Sequence, residues 1–170
     1  MQIMRTVVIL GGLLCGASLA FAGPADDCNQ VRDLGRQLRG CTAYIDKGIG
    51  APENLATAHL NRANIYAQRG KQDLALGDYA AAMALDPRNP LAPYNRGNLH
   101  FDAKRYDLAI ADYSRAVELD GEFALAFLNR GLAHERLGDT VAAAKDYGQA
   151  LAIDPANKAA QKRLERLNSQ

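Results

Sequence analysis

The side chains of this chain that could do chemistry are few, and their spacing narrows what they could do. Cysteines stand at 15, 28 and 41. Cys28 and Cys41 are much too far apart for a CxxC redox centre, and they are the even remainder if residues 1–22 are removed as a leader. In an oxidising compartment the natural reading is one disulfide closing a short loop, worth about 3 kcal/mol. A catalytic thiol or a pair of metal ligands is the alternative. Beyond residue 22 the serines reduce to Ser114 and Ser169, and no glycine-rich loop could cradle a phosphate. These features predict a protein that is not an enzyme and carries no cofactor or metal. Recognition chemistry is better represented. The triplet Asn95-Arg96-Gly97 returns as Asn129-Arg130-Gly131 and, slightly altered, as Asn61-Arg62-Ala63, while an Asp recurs at 78, 112 and 146. Guanidinium and carboxylate columns suit structural ion pairs, and carboxamides suit hydrogen bonding to a backbone.

Those columns imply the elements that must position them. Residues 56–89, 90–123 and 124–157 align without a gap, a period of thirty-four. Each unit has two amphipathic helical stretches, broken at Arg69-Gly70-Lys71, Ala103-Lys104-Arg105 or Leu137-Gly138-Asp139, and ends in a turn signal at Asp86-Pro87, Asp120-Gly121 or Asp154-Pro155. Two helices cannot hide their apolar faces alone, but three stacked units with polar ends make a continuous core, which predicts an all-α solenoid. His100 and His134 share a column one unit apart, hence about 10 Å from each other, too far to ligate one metal; they are predicted to lie in the core or its seam. On a 100° helical wheel Arg96 flanks the packed face of its helix and Asp112 the packed face of the partner helix. Arg62, Arg96 and Arg130 with Asp78, Asp112 and Asp146 are therefore expected to form repeated structural ion pairs, within a unit or between neighbours.

Outside the array the pattern weakens. Residues 23–55 read as a degenerate helical cap stapled by the disulfide, with a helix starting at Asp33 and a loop over 48–54, and residues 158–170 as a basic, polar capping helix. With 170 residues, 48% hydrophobic and 23% charged, the composition is that of a folded domain. Residues 1–22 combine Arg5, an apolar run too short to span a bilayer comfortably, and Ala20-Phe21-Ala22. The expectation is a cleaved secretory signal with the mature chain starting at Gly23, an uncleaved anchor being the alternative. Leu14 stands where a bacterial lipobox wants a small residue, so Cys15 is not expected to be lipidated. The segment removes one positive charge and no acid, leaving Lys plus Arg equal to Asp plus Glu. That balance argues against nucleic acid or an anionic membrane as the main partner, and no second apolar run of membrane length follows.

The aligned units resemble tetratricopeptide repeats (TPRs). The aromatic, small and aromatic columns of the family's first helix are represented by His59, Ala63 and Tyr66, by Pro93, Gly97 and His100, and by Phe127, Gly131 and His134. Those of the second helix are represented by Ala75, Tyr79 and Ala82, by Ala109, Tyr113 and Ala116, and by Ala143, Tyr147 and Ala150. Trp is absent, and Arg replaces the family's usual Leu at 62, 96 and 130, a variant associated with secreted bacterial members whose repeats read NRG and DY. The resemblance implies three TPR helix-turn-helix repeats, between a degenerate N-terminal cap and a C-terminal capping helix, and a concave groove lined by the first helices. It places Leu60, Asn61, Asn64, Tyr94, Asn95, Asn98, Phe101, Leu128, Asn129, Leu132 and Glu135 there, with Tyr94 and Phe101 facing solvent. A protein or peptide would be the partner, at a periplasmic or secreted location. The family's clamp for chaperone tails needs Lys and Arg beside the Asn residues; the corresponding sites hold Leu60, Leu125 and Asn129, so that activity is not expected. The alternative is a structural subunit of a homo-oligomer or envelope assembly, its groove permanently filled.

Overall fold

The computed structural model describes residues 23–29 and 33–169, so the expected leader lies outside the described residues. Among those residues there are nine helices and no strand. The first two are α1 (Pro24–Cys28) and α2 (Leu34–Lys47). Three hairpins follow: α3 (Pro52–Gln68) with α4 (Gln72–Leu85), α5 (Leu91–Asp102) with α6 (Tyr106–Leu119), and α7 (Ala124–Arg136) with α8 (Thr140–Ile153). α9 (Lys158–Asn168) closes the array. No helix among the described residues is long and apolar enough to cross a membrane.

The boundaries have local causes. The Asp33 carboxylate accepts hydrogen bonds from the Gly35 and Arg36 amides and starts α2, and Gly48, at φ 58°, stops it in the left-handed region that glycine tolerates. α3 starts at Pro52, inside the stretch expected to be loop through residue 54. Proline's fixed φ and missing N–H suit the first helical position, and Glu53 adds an acid at the positive end. The tight turn within each hairpin also needs a left-handed residue: Gly70 at φ 69°, Lys104 at 58° and Gly138 at 84°. Between repeats the turn is made by aspartate. Asp86, Asp120 and Asp154 each accept a side-chain hydrogen bond from the amide two residues on, at 3.3, 2.9 and 3.1 Å. This explains why the middle unit keeps the same turn with Gly121 where its neighbours have proline.

Each hairpin packs a tyrosine of its second helix against the small residue of its first. Tyr79, Tyr113 and Tyr147 are at most 2% exposed. A Cβ on Gly97 would lie 2.8 Å from the Tyr113 ring, and one on Gly131 2.8 Å from that of Tyr147. The glycine of the recurring Asn-Arg-Gly triplet is thus the floor on which the aromatic ring lies. Apolar clusters then run from end to end: Cys28, Cys41 and Ala58 at the start, Leu60 with Tyr79 and Leu99, Tyr113 with Ala133, and Leu128 with Tyr147 and Ala160 of α9. At the N-terminal end Cys28 and Cys41 form a disulfide that is buried at 2% and 0% exposure. α1 is pressed onto α2 at Gly40, where a Cβ would meet the Cys28 amide at 2.7 Å.

Candidate functional site

The arginine and aspartate columns join the two helices of the same repeat. Arg62 meets Asp78, Arg96 meets Asp112, and Arg130 meets Asp146, each through two parallel N–H···O bonds. The aspartates are 3–6% exposed, and the pairing raises the Arg62 and Arg96 guanidiniums above their ordinary value. Histidines stand beside them. His59 Nδ1 is 2.8 Å from Asp78, whereas His100 and His134 approach Asp112 and Asp146 only to 3.8 and 4.0 Å. His100 is buried with its Nδ1 unpartnered, and burial, despite the pull of Asp112, lowers its pKa, so it stands neutral. No three metal-binding side chains converge among the described residues.

The asparagines do something different: they bridge repeats. The Tyr79 hydroxyl donates to Asn64 Oδ1 at 2.8 Å, and Asn95 Nδ2 of the next repeat donates to the same oxygen at 3.0 Å. One repeat on, Tyr113 and Asn129 donate to Asn98 Oδ1 at 2.8 and 3.0 Å. Burial pushes the Tyr79 hydroxyl up to about 12, and raises Tyr113 too, so both remain donors. At the ends of the array the partners change. Asn61 reaches back to the Cys28 carbonyl and Asn29. At the other end Arg163, thirty-four residues after Asn129, meets Glu135 at 3.4 Å, with Arg166 at 2.6 Å and the Tyr147 hydroxyl at 2.9 Å on the same carboxylate. Burial works to raise the Glu135 pKa, but hydrogen bonds from Arg166 and Tyr147 outweigh it and hold the carboxyl below its usual range.

Between these bridges the face formed by α3, α5 and α7 opens into two clefts. One, of about 400 Å³, lies between α3 and α5 and is bordered by Asn64, Ala67, Gln68, Asn95, Asn98 and Asp102, among others. The second, of about 370 Å³, lies between α5 and α7 and is lined by Asn98, Phe101, Asp102, Tyr113, Asn129 and Leu132. Asn98 and Asp102 belong to both.

Several residues expected in the groove lie elsewhere. Leu60 and Leu128 are 7% and 8% exposed and belong to the apolar clusters. Tyr94, in the same column, is half-buried rather than solvent-facing. Its ring lies 4.6 Å from that of Phe123 and 5.9 Å from that of Tyr113, and its hydroxyl accepts from Asn129. The column faces the following repeat, so stacking covers what a single-helix projection leaves open. Phe101 is also half-buried, edge-on to Tyr106 and under the Arg136 guanidinium, yet one side reaches the second cleft. Asn61 and Glu135 are engaged by the terminal helices and border neither cleft. Asp102 and Gln68 border the clefts without standing in the expected set; Asp102, four residues beyond Asn98, shares its helical face, and that spacing is the signal for it in the sequence.

The family model named TPR repeat matches twice, at residues 63–103 and 97–138, and the one named tetratricopeptide repeat matches 124–157. The first TPR of Spaghetti (RPAP3), solved bound to the HSP90 peptide SRMEEVD, is 30% identical with a TM-score of 0.65, the match covering 71% of this chain and 94% of that one. The second TPR domain of human RPAP3, solved in complex with the HSP70 peptide SGPTIEEVD, is 31% identical with a TM-score of 0.66, over 70% and 99%. MamA, at 21% identity, shares the fold, with a TM-score of 0.74 over 85% of this chain and 82% of its own. Among curated proteins none matches the chain by sequence.

Proposed function

The chain belongs to the tetratricopeptide repeat family, and on that premise we propose that it is a non-enzymatic scaffold that binds a protein or peptide segment in the groove of α3, α5 and α7. One observation carries the reading. Two adjoining clefts meet at Asn98 and Asp102, walled by carboxamides that the neighbouring repeats hold in fixed orientation. Preorganised donors and acceptors on a rigid array are what a bound backbone requires, because little ordering is left for the moment of binding. The RPAP3 domains, which hold peptides, support it by likeness.

The scaffold works outside the cytoplasm in this reading, in the periplasm or secreted, as a bacterial member of the NRG and DY type. The pattern of residues 1–22 and the paired cysteines support export. The Gly23 amide lies 3.0 Å from Asp26 Oδ2, so cleavage before Gly23 would set the new ammonium against a carboxylate. The second reading, a structural subunit with a filled groove, gains something from the ends of the array, where the chain's own terminal helices engage Asn61 and Glu135. The central clefts are left open by those contacts, which favours the exchangeable partner.

The test is capture from an envelope extract with the mature protein and with Ala67→Trp/Leu132→Trp, which fills both clefts. A partner held by the first and lost from the second, with both folded by circular dichroism, is the expected result. Equal capture by both, or a homo-oligomer that captures nothing, would replace the groove reading by the structural one.

A further inference from the structure

The two clefts carry a single charge. Asp102 lines both, and no lysine or arginine lines either. The Lys and Arg ion pairs of the described residues end on Asp27, Asp78, Asp112, Glu118, Glu135 and Asp146, and none ends on Asp102. Its column neighbour one repeat on, Arg136, is turned over the Phe101 ring at 5.6 Å and reaches the Tyr106 hydroxyl. Asp102 is also the last residue of α5, where the helix dipole disfavours a negative charge. The fold gains nothing visible from this carboxylate.

Around it the amides are divided by role. The Asn64 and Asn98 oxygens are consumed by a tyrosine and an asparagine each, while their NH2 groups make no hydrogen bond among the described residues. Asn95 and Asn129 are the reverse: Asn95 donates to Asn64, Asn129 donates to Asn98 and to the Tyr94 hydroxyl, and both keep their oxygens. Donors and acceptors alternating along one groove match a polypeptide backbone, which offers C=O and N–H in alternation.

We propose that the segment bound here is basic: an extended stretch whose backbone lies on the four asparagines and whose lysine or arginine seats its cation on Asp102, where the clefts meet. The inference rests on the groove reading and adds the partner's charge. An acidic segment such as the SRMEEVD bound by the first TPR of Spaghetti would set its carboxylates beside Asp102 with no cation lining either cleft to receive them.

The test is selection of random peptides displayed on phage against the mature protein, followed by affinity measurement of the enriched peptides on three proteins: the parent, Asp102→Asn and the cleft-filled Ala67→Trp/Leu132→Trp. Asp102→Asn removes a charge from an exposed helix end and is expected to fold at least as well as the parent. The expected peptides are enriched in lysine or arginine, bind Asp102→Asn about fivefold more weakly, lose affinity with added salt, and fail on the filled variant. Peptides that need open clefts but are acidic or neutral and bind Asp102→Asn unchanged would overturn the basic partner and leave the groove reading standing. Peptides that bind the filled variant equally well, or no enrichment at all, would overturn both.

Discussion

The contacts inside a repeat and the contacts between repeats are built differently. Inside each repeat an arginine chelates a buried aspartate and a tyrosine ring lies on a glycine or alanine, three times with nearly the same geometry. At the two inner joints the contact is a neutral amide bridge, to Asn64 and then to Asn98; at the ends it changes, to a carbonyl of α1 before the array and to the charged Glu135 cluster after it. The arginine–aspartate pairs border neither cleft, whereas the two inner asparagine joints border one cleft each. The repeat is thus defined at its seam and individualised at its joints, and the joints are where recognition chemistry has room.

Breaking a seam should cost most. Arg96→Ala leaves Asp112 buried without its guanidinium, an expected loss of about 3 kcal/mol measured by denaturant unfolding. Because the pair lies within one repeat, the cost should shrink when Asp112 is already replaced and stay unchanged when Asp78 is. Coupling to Asp78 instead would show that the seam is shared between repeats. A joint should be cheaper: Asn98→Ala orphans the Tyr113 hydroxyl and removes one of the two acceptors of the Asn129 amide, for about 1–2 kcal/mol. A loss as large as that of Arg96→Ala would erase the distinction.

The sequence made the seam legible and the joints only in part. Period, helix breaks and the tyrosine and glycine columns depend on neighbours three or four residues away, which one helix reveals. Tyr94 faced the groove on a single-helix wheel because nothing local says that Phe123 and the next repeat will cover it. Asn64 and Asn98 border the clefts, but the spending of their oxygens on Tyr79, Tyr113 and the following asparagines is fixed by superhelical stacking. The Glu135 cluster was partly visible: Arg163 continues the Asn column at the same period, and Leu132 in place of a third groove asparagine marks the joint as different.

That different joint should respond to acid where the asparagine joints do not. The folded Glu135 pKa lies below its ordinary 4.5, so its contribution is present above about 4.5 and is lost as pH falls through the lower folded value. Hydrogen exchange of α9 should therefore quicken below that pH, and Glu135→Gln should remove the dependence while slowing nothing in α5. His100 acts in a higher window. Its folded pKa is below 6.5, so the unfolded chain takes the proton first, and stability should decline as pH drops from 6.5 towards the folded value. His100→Gln should flatten that part of the melting-temperature profile.

The smallest effect should be a gain. Lys104 holds a left-handed φ of 58° where the other hairpins have glycine, so Lys104→Gly should stabilise by about 0.5 kcal/mol in thermal unfolding without changing any joint.

The groove claim is most directly tested by the asparagine side chains themselves, whose NH2 groups give resolved signals in nitrogen-proton correlation spectra. On titration with the tightest selected peptide, the Asn64 and Asn98 NH2 signals should shift together with the backbone amide of Asp102, while Gly77 and Gly148 on α4 and α8 stay still. Shifts centred on Gly77 and Gly148, with the asparagine signals unmoved at saturation, would contradict the account.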